Sequence, residues 1–149
     1  MADGDQIPDD HRVARLVKNK DVLSDGPTPI VILPEAFILR ENEEFYSVCW
    51  LDHPASEGKI KSKFAIESFR NAPLDIKSNA YIIVGKIEKI RISCSPFTIN
   101  VMHKPEINYD AHAGIYNLDK IDSQTRDQLG NSFCRHFKVK DIDAGVVDF

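Results

Sequence analysis

Apolar and polar positions alternate over RVARLV (12–17), which predicts a short first strand. SDGPTP (24–29) interrupts the pattern with Gly and Pro and is expected to turn. IVIL then runs into Pro34, and EAFILRENEEF (35–45) is expected to form a helical turn or an irregular loop. FYSVCWL (45–51) is rich in aromatic and β-favouring residues and predicts a buried strand. After a break at HPASEG (53–58), Ile60, Phe64 and Ala65 recur at helical spacing, and Ile66 and Phe69 widen the stripe. This predicts a helix over 59–72, ended by Pro73.

AYIIVGKIEKIRISC (80–94) reads as one long strand whose parity changes at residues 85–86, so a bulge or bend is expected there. FTINVMH (97–103) is its natural partner, with Phe97, Ile99, Val101 and His103 on one face. KPEINYDAHAGIYNL (104–118) has the composition of a loop. Asp119 or Asp122 can cap a second helix over 121–137, turning Ile121, Leu129, Phe133 and Phe137 inward. Gly130 weakens that helix by about 1 kcal/mol relative to Ala. KVKDIDAGVVDF (138–149) closes the chain as a short strand or a tail. This order predicts an α+β fold in a single domain over 11–149, with a mainly antiparallel sheet and two packed helices. Residues 1–10, with four Asp, are expected to be a flexible acidic tail.

Composition changes this picture little. The chain has 149 residues, 42% hydrophobic and 28% charged, enough for a core that needs neither disulfides nor metal. A net charge of −4 speaks against non-specific nucleic-acid binding, which needs a positive field. No apolar run reaches membrane-spanning length, and the polar start lacks a signal peptide's apolar core. Cys49, Cys94 and Cys134 are odd in number, widely spaced and set among apolar residues. They read as reduced thiols of a cytoplasmic protein.

The candidate chemistry centres on NYDAHAGIY (108–116). Ala111, Ala113 and Gly114 leave room around His112, which could act as acid or base with Asp110 orienting it. Equally, His112 could bond a backbone carbonyl and staple its own loop. In the segment 34–54, Arg40 could clamp an anion or pair with Glu43 or Glu44. Ser47 brings a hydroxyl into a buried strand, and Trp50 reads as core or as a binding surface. Cys49 with His112 could form a thiol nucleophile pair, but flanking Val48 and Trp50 predict a buried, unreactive thiol. The five histidines fit no compact zinc spacing, and there is no nucleophile elbow, phosphate-binding loop or dinucleotide fingerprint. No metal or cofactor is expected. The lysines of KIKSKF and the mixed charges of KIEKIRI read as solvated faces.

Two of these segments resemble a family of small uncharacterised bacterial proteins with no settled activity. Ala36, Phe37, Leu39, Arg40, Glu43, Ser47, Val48, Trp50 and Leu51 match its first signature, and His112, Ala113, Gly114 and Ile115 match its second. Cys49 departs from the polar residue usual at its position. The resemblance implies that Arg40, Ser47 and His112 share one site, and it associates the chain with multi-protein operons, including defence systems. Two functions follow as expectations. One is a small binding or adaptor component with a protein partner from the same operon. Asp110, Gly114, Tyr116 and Trp50 would then lie at its recognition surface. The other is a small transferase or hydrolase acting on a phosphate- or ribose-bearing substrate. Its catalytic set would be His112, Arg40, Ser47 and Glu43.

Overall fold

The computed structural model describes residues 4–23, 31–39, 43–72, 76–77, 80–133 and 135–143; at positions 19, 135–137, 141 and 143 only the backbone is described. The elements in chain order are β1 (Arg12–Val17), β2 (Val22–Leu23), β3 (Val31–Ile32), β4 (Phe45–Trp50), α1 (Lys61–Asn71) and β5 (Tyr81–Lys86). They continue as α2 (Ile87–Cys94), β6 (Asn100–His103), β7 (His112–Tyr116), α3 (Ser123–Leu129), β8 (Arg135–Lys138) and α4 (Val139–Asp143). Six strands form one sheet in the order β6-β7-β4-β1-β5-β8, and every neighbouring pair is antiparallel. β2 and β3 form a separate two-stranded ribbon. This is a single α+β domain built on an antiparallel sheet. Among the described residues, no helix is long and apolar enough to cross a membrane.

Register decides which side chains can meet. Cys49 lies opposite His112, Ser47 opposite Gly114 and Phe45 opposite Tyr116, so these six share one face of the sheet. Tyr46, Val48 and Trp50 share the other face with Ala113 and Ile115, and β6 adds Val101 and His103 to it. α1 covers the first face, with Phe69 edge-on to Tyr109 at 6.4 Å and Ser68 bonded to the Cys49 thiol. α2 and residues 130–133 cover the second. There a Cβ on Gly85 would stand 3.0 Å from the Phe133 ring and 3.2 Å from Ile90.

Four sequence expectations are corrected between residues 80 and 137. The strand pattern over 80–94 breaks into β5 and α2. Ile87, Ile90 and Cys94 are buried at helical spacing, while Ile92, inward in a strand reading, is 67% exposed. The helix begins at residue 87 because Ile87 and Glu88 donate their N–H groups to the carbonyls of His11 and Asp9. That distant capping leaves no local signal. With 87–94 helical, the 97–103 segment loses its expected partner, and β6 pairs with β7 instead. The 104–118 segment, expected as loop throughout, therefore contains a strand. The predicted helix over 121–137 stops at Leu129 and is followed by a 3-10 turn and by β8. It starts as expected, with Asp122 accepting from Thr125 N–H at 2.7 Å. It ends where Gly130 lies so close to Ile32 that a Cβ would stand 2.9 Å from the Ile32 carbonyl oxygen.

The acidic N-terminal segment is docked from Gly4 onward, where composition predicts a loose tail. Gly4 and Ile7 donate to the carbonyls of His103 and Val101, His103 donates to Asp5, and Gln6 bridges Met102. The segment thus pairs with the outer edge of β6, an edge that would otherwise leave its polar groups unpaired. Ile7 anchors it in the core at 2% exposure.

Gly114 lets Phe45 lie across the sheet. A Cβ there would stand 2.5 Å from Phe45 Cδ2 and 2.7 Å from Cγ, while the ring packs against both His112 and Tyr116. Gly114→Ala is therefore expected to cost about 1–3 kcal/mol in urea denaturation. In a Phe45→Ala background the same change should cost under about 1 kcal/mol, because the clash is removed. Additive losses would show that Phe45 does not impose the glycine.

Candidate functional site

The connection between β6 and β7 is held from both faces of the sheet. His103 closes β6 and His112 opens β7, and the pairing of His103 with Ala113 turns the two imidazoles to opposite faces. His103 Nε2 donates to the Asp110 carbonyl at 2.7 Å. His112 Nδ1 donates to the Lys104 carbonyl at 2.6 Å and to the Glu106 carboxylate at 2.9 Å. Within the connection, Glu106 and Tyr109 exchange backbone hydrogen bonds of 3.1 and 2.9 Å, and Asn108 sits in the left-handed region at φ 63°. Trp50 N–H donates to the Ala111 carbonyl. His112 is 3% exposed, and its ring packs between Phe45 and Tyr109. Its donor nitrogen therefore serves its own loop.

Behind this loop a buried thiol is bonded to two hydroxyl groups. The Cys49 thiol contacts the Ser68 hydroxyl and the Tyr109 phenol. Burial pushes the thiol up to about 12, against the pull of both hydrogen bonds. Burial, and then the neighbouring Cys49, raise Tyr109 as well. Burial thus disfavours the thiolate, which is the nucleophilic form. Ser68 and Tyr109 form the floor of a cleft of about 340 Å³ between α1 and the 106–111 loop. Lys59, Glu67, Asn71, Asn108 and Asp110 rim it, so both signs of charge and two amides face its mouth. At the tip of the loop, Ile107 is 91% exposed.

The predicted site residues are distributed between the two faces. Ser47 and His112 share a face of adjacent strands, with Ser47 half-buried opposite Gly114. Trp50 is buried on the other face, away from His112. Asp110 is exposed and reaches the histidines through its backbone carbonyl to His103. Tyr116 is half-buried against Phe45 at 5.1 Å. Glu43 lies close enough to the Tyr46 phenol to raise its pKa, although burial is the larger cause of a value of about 12. Arg40 and Cys134 lie outside the described residues. Among the described residues, no group of three or more His, Cys, Asp or Glu is placed to hold a metal ion. Sequence reasoning misses His103, Glu106, Ser68 and Tyr109. The one available signal is a histidine at each end of a polar connection of eight residues.

The chain matches no protein-family model, no curated protein and no solved structure.

Burial also raises Cys94, to about 11. Iodoacetamide at pH 8 should therefore label Cys49 and Cys94 at least ~100-fold more slowly in the folded protein than in urea, read by peptide mass spectrometry. Fast labelling of native Cys49 would show a reachable thiolate beside His112.

Proposed function

We propose that this chain is a non-catalytic binding component of a bacterial multi-protein system, which docks on a protein partner through the 104–111 loop and the adjoining cleft. The observation that carries this reading is the double anchoring of the loop. Two buried imidazoles, one on each face, are spent on holding carbonyls of a surface connection. A loop fixed in this way loses little conformational entropy on binding, which is what a recognition loop needs. It presents Ile107, Asn108 and Asp110 outward and borders a cleft with hydrogen-bonding rims and an aromatic floor.

A small enzyme acting on a phosphate- or ribose-bearing substrate is the second reading. The His112 contact with the Glu106 carboxylate favours it, because a carboxylate on one ring nitrogen orients an imidazole for proton transfer at the other. The burial of that imidazole among Phe45, Tyr109 and its own loop favours binding.

The test is co-expression with the native operon neighbours, followed by affinity measurement on the partner recovered. Ile107→Asp should weaken that complex by at least about tenfold, equivalent to roughly 1.4 kcal/mol, with an unchanged melting temperature. Unchanged affinity in this variant would reject the loop as the docking surface. A folded His112→Gln protein that binds its partner normally yet loses biological activity would favour the enzyme.

A further inference from the structure

Three histidines from three segments surround the indole of Trp50. Its Nε1–H donates to His11 Nδ1 at 2.9 Å. The His53 ring meets it edge-on at 5.0 Å and the His103 ring at 5.2 Å. His53 and His103 lie 5.3 Å apart, centroid to centroid. In two of the three rings, Nδ1 acts as an acceptor. His11 Nδ1 takes the indole proton, and His53 Nδ1 takes the Ala55 backbone N–H at 3.0 Å, capping the 3-10 turn Pro54–Ser56. A protonated imidazole has no lone pair at either nitrogen, so proton uptake removes each of these bonds. It also places a charge on His53 beside the His103 ring.

We propose that this ring of histidines is an acid-operated latch, in which proton uptake by His53 releases the 53–56 turn from Trp50. The latch is independent of whether the 104–111 loop binds a partner.

The surrounding charges are compatible with such a latch. On the N-terminal side, Asp10 lies 4.0 Å from His11 Nε2 and is largely exposed, so it compensates a charge there weakly. Asp52 is occupied by Arg12, accepting from its backbone N–H at 2.7 Å and its guanidinium at 3.3 Å. The hollow beside His53 is also lined by Glu57 and Lys61, and the Lys61 ammonium is bonded to Ser56. From the far side Asp110 favours a charged His53, but burial and then His103 outweigh it and lower His53 below its ordinary 6.5. The folded form thus resists the proton that the unfolded chain accepts, and stability falls as pH drops below about 6.5.

The latch has a built-in reporter, because Trp50 is the chain's one tryptophan. In the full-length protein, Trp50 emission should change in a single transition lying below about pH 6.5, because His53 is held below its ordinary value. Over the same interval, hydrogen-exchange protection of the Ala55 N–H, corrected for intrinsic rate, should fall roughly tenfold, while the global fold persists. The His53→Gln variant and the His11→Gln/His53→Gln double variant keep a side-chain acceptor but cannot titrate. Both should flatten the two profiles. Flat wild-type profiles would overturn the proposal. So would an unchanged transition in the double variant, which would place the titration elsewhere.

Discussion

The connection between β6 and β7 is the constraint around which this fold is arranged. It is exposed at residues 105–108 and 110, and to hold one conformation it must be tied back to the sheet. Two side chains answer this need from opposite directions, His103 to Asp110 and His112 to Lys104. Other features follow from that solution. β7 must pair with β4 in the register that sets His112 opposite Cys49, and the next residue on that face must be Gly114 for Phe45 to cross. β6 becomes the sheet edge, and the N-terminal segment then covers it. Continuing along the same segment, the carbonyls of Asp9 and His11 meet the first N–H groups of α2 and convert a strand-like sequence into a helix.

Elements whose stabilisation is local were legible in the sequence. The alternation of 12–17, the β-rich 45–51 run and the stripe of Phe64, Ala65 and Phe69 each fell within two residues of the observed β1, β4 and α1. Asp122 was readable as a cap because its partner, Thr125, lies three residues away. Elements decided by distant groups were not. Isoleucines at 87, 90 and 92 suit either a strand or a helix, and the first N–H groups of the helix are received by the distant carbonyls of residues 9 and 11. Ala113 and Gly114 are weak strand formers, and β7 exists because it lies between two strands with Phe45 over the glycine. For the candidate site, one histidine of the loop pair was visible by its neighbours, while Ser68 and Glu106 have value only through contacts that no spacing rule anticipates.

The same side chain serves two opposite purposes here, and the difference is which member of each bond carries the proton. Around the loop, His103 and His112 donate to carbonyl oxygens, and His112 donates in addition to Glu106. Charging such a ring leaves its donated bond intact and strengthens the contact with a carboxylate. Around Trp50, His11 and His53 accept, so charging either ring deletes its bond. Acid therefore acts selectively on one end of the molecule. The donated bonds of His103 and His112 survive charging of the ring, whereas the bond from the Ala55 N–H to His53 does not. His103 belongs to both groups, since it grips the loop through Asp110 and packs against Trp50 and His53. It is the point at which a charge at His53 would first be felt by the loop, and the 5.3 Å between these rings sets the strength of that coupling.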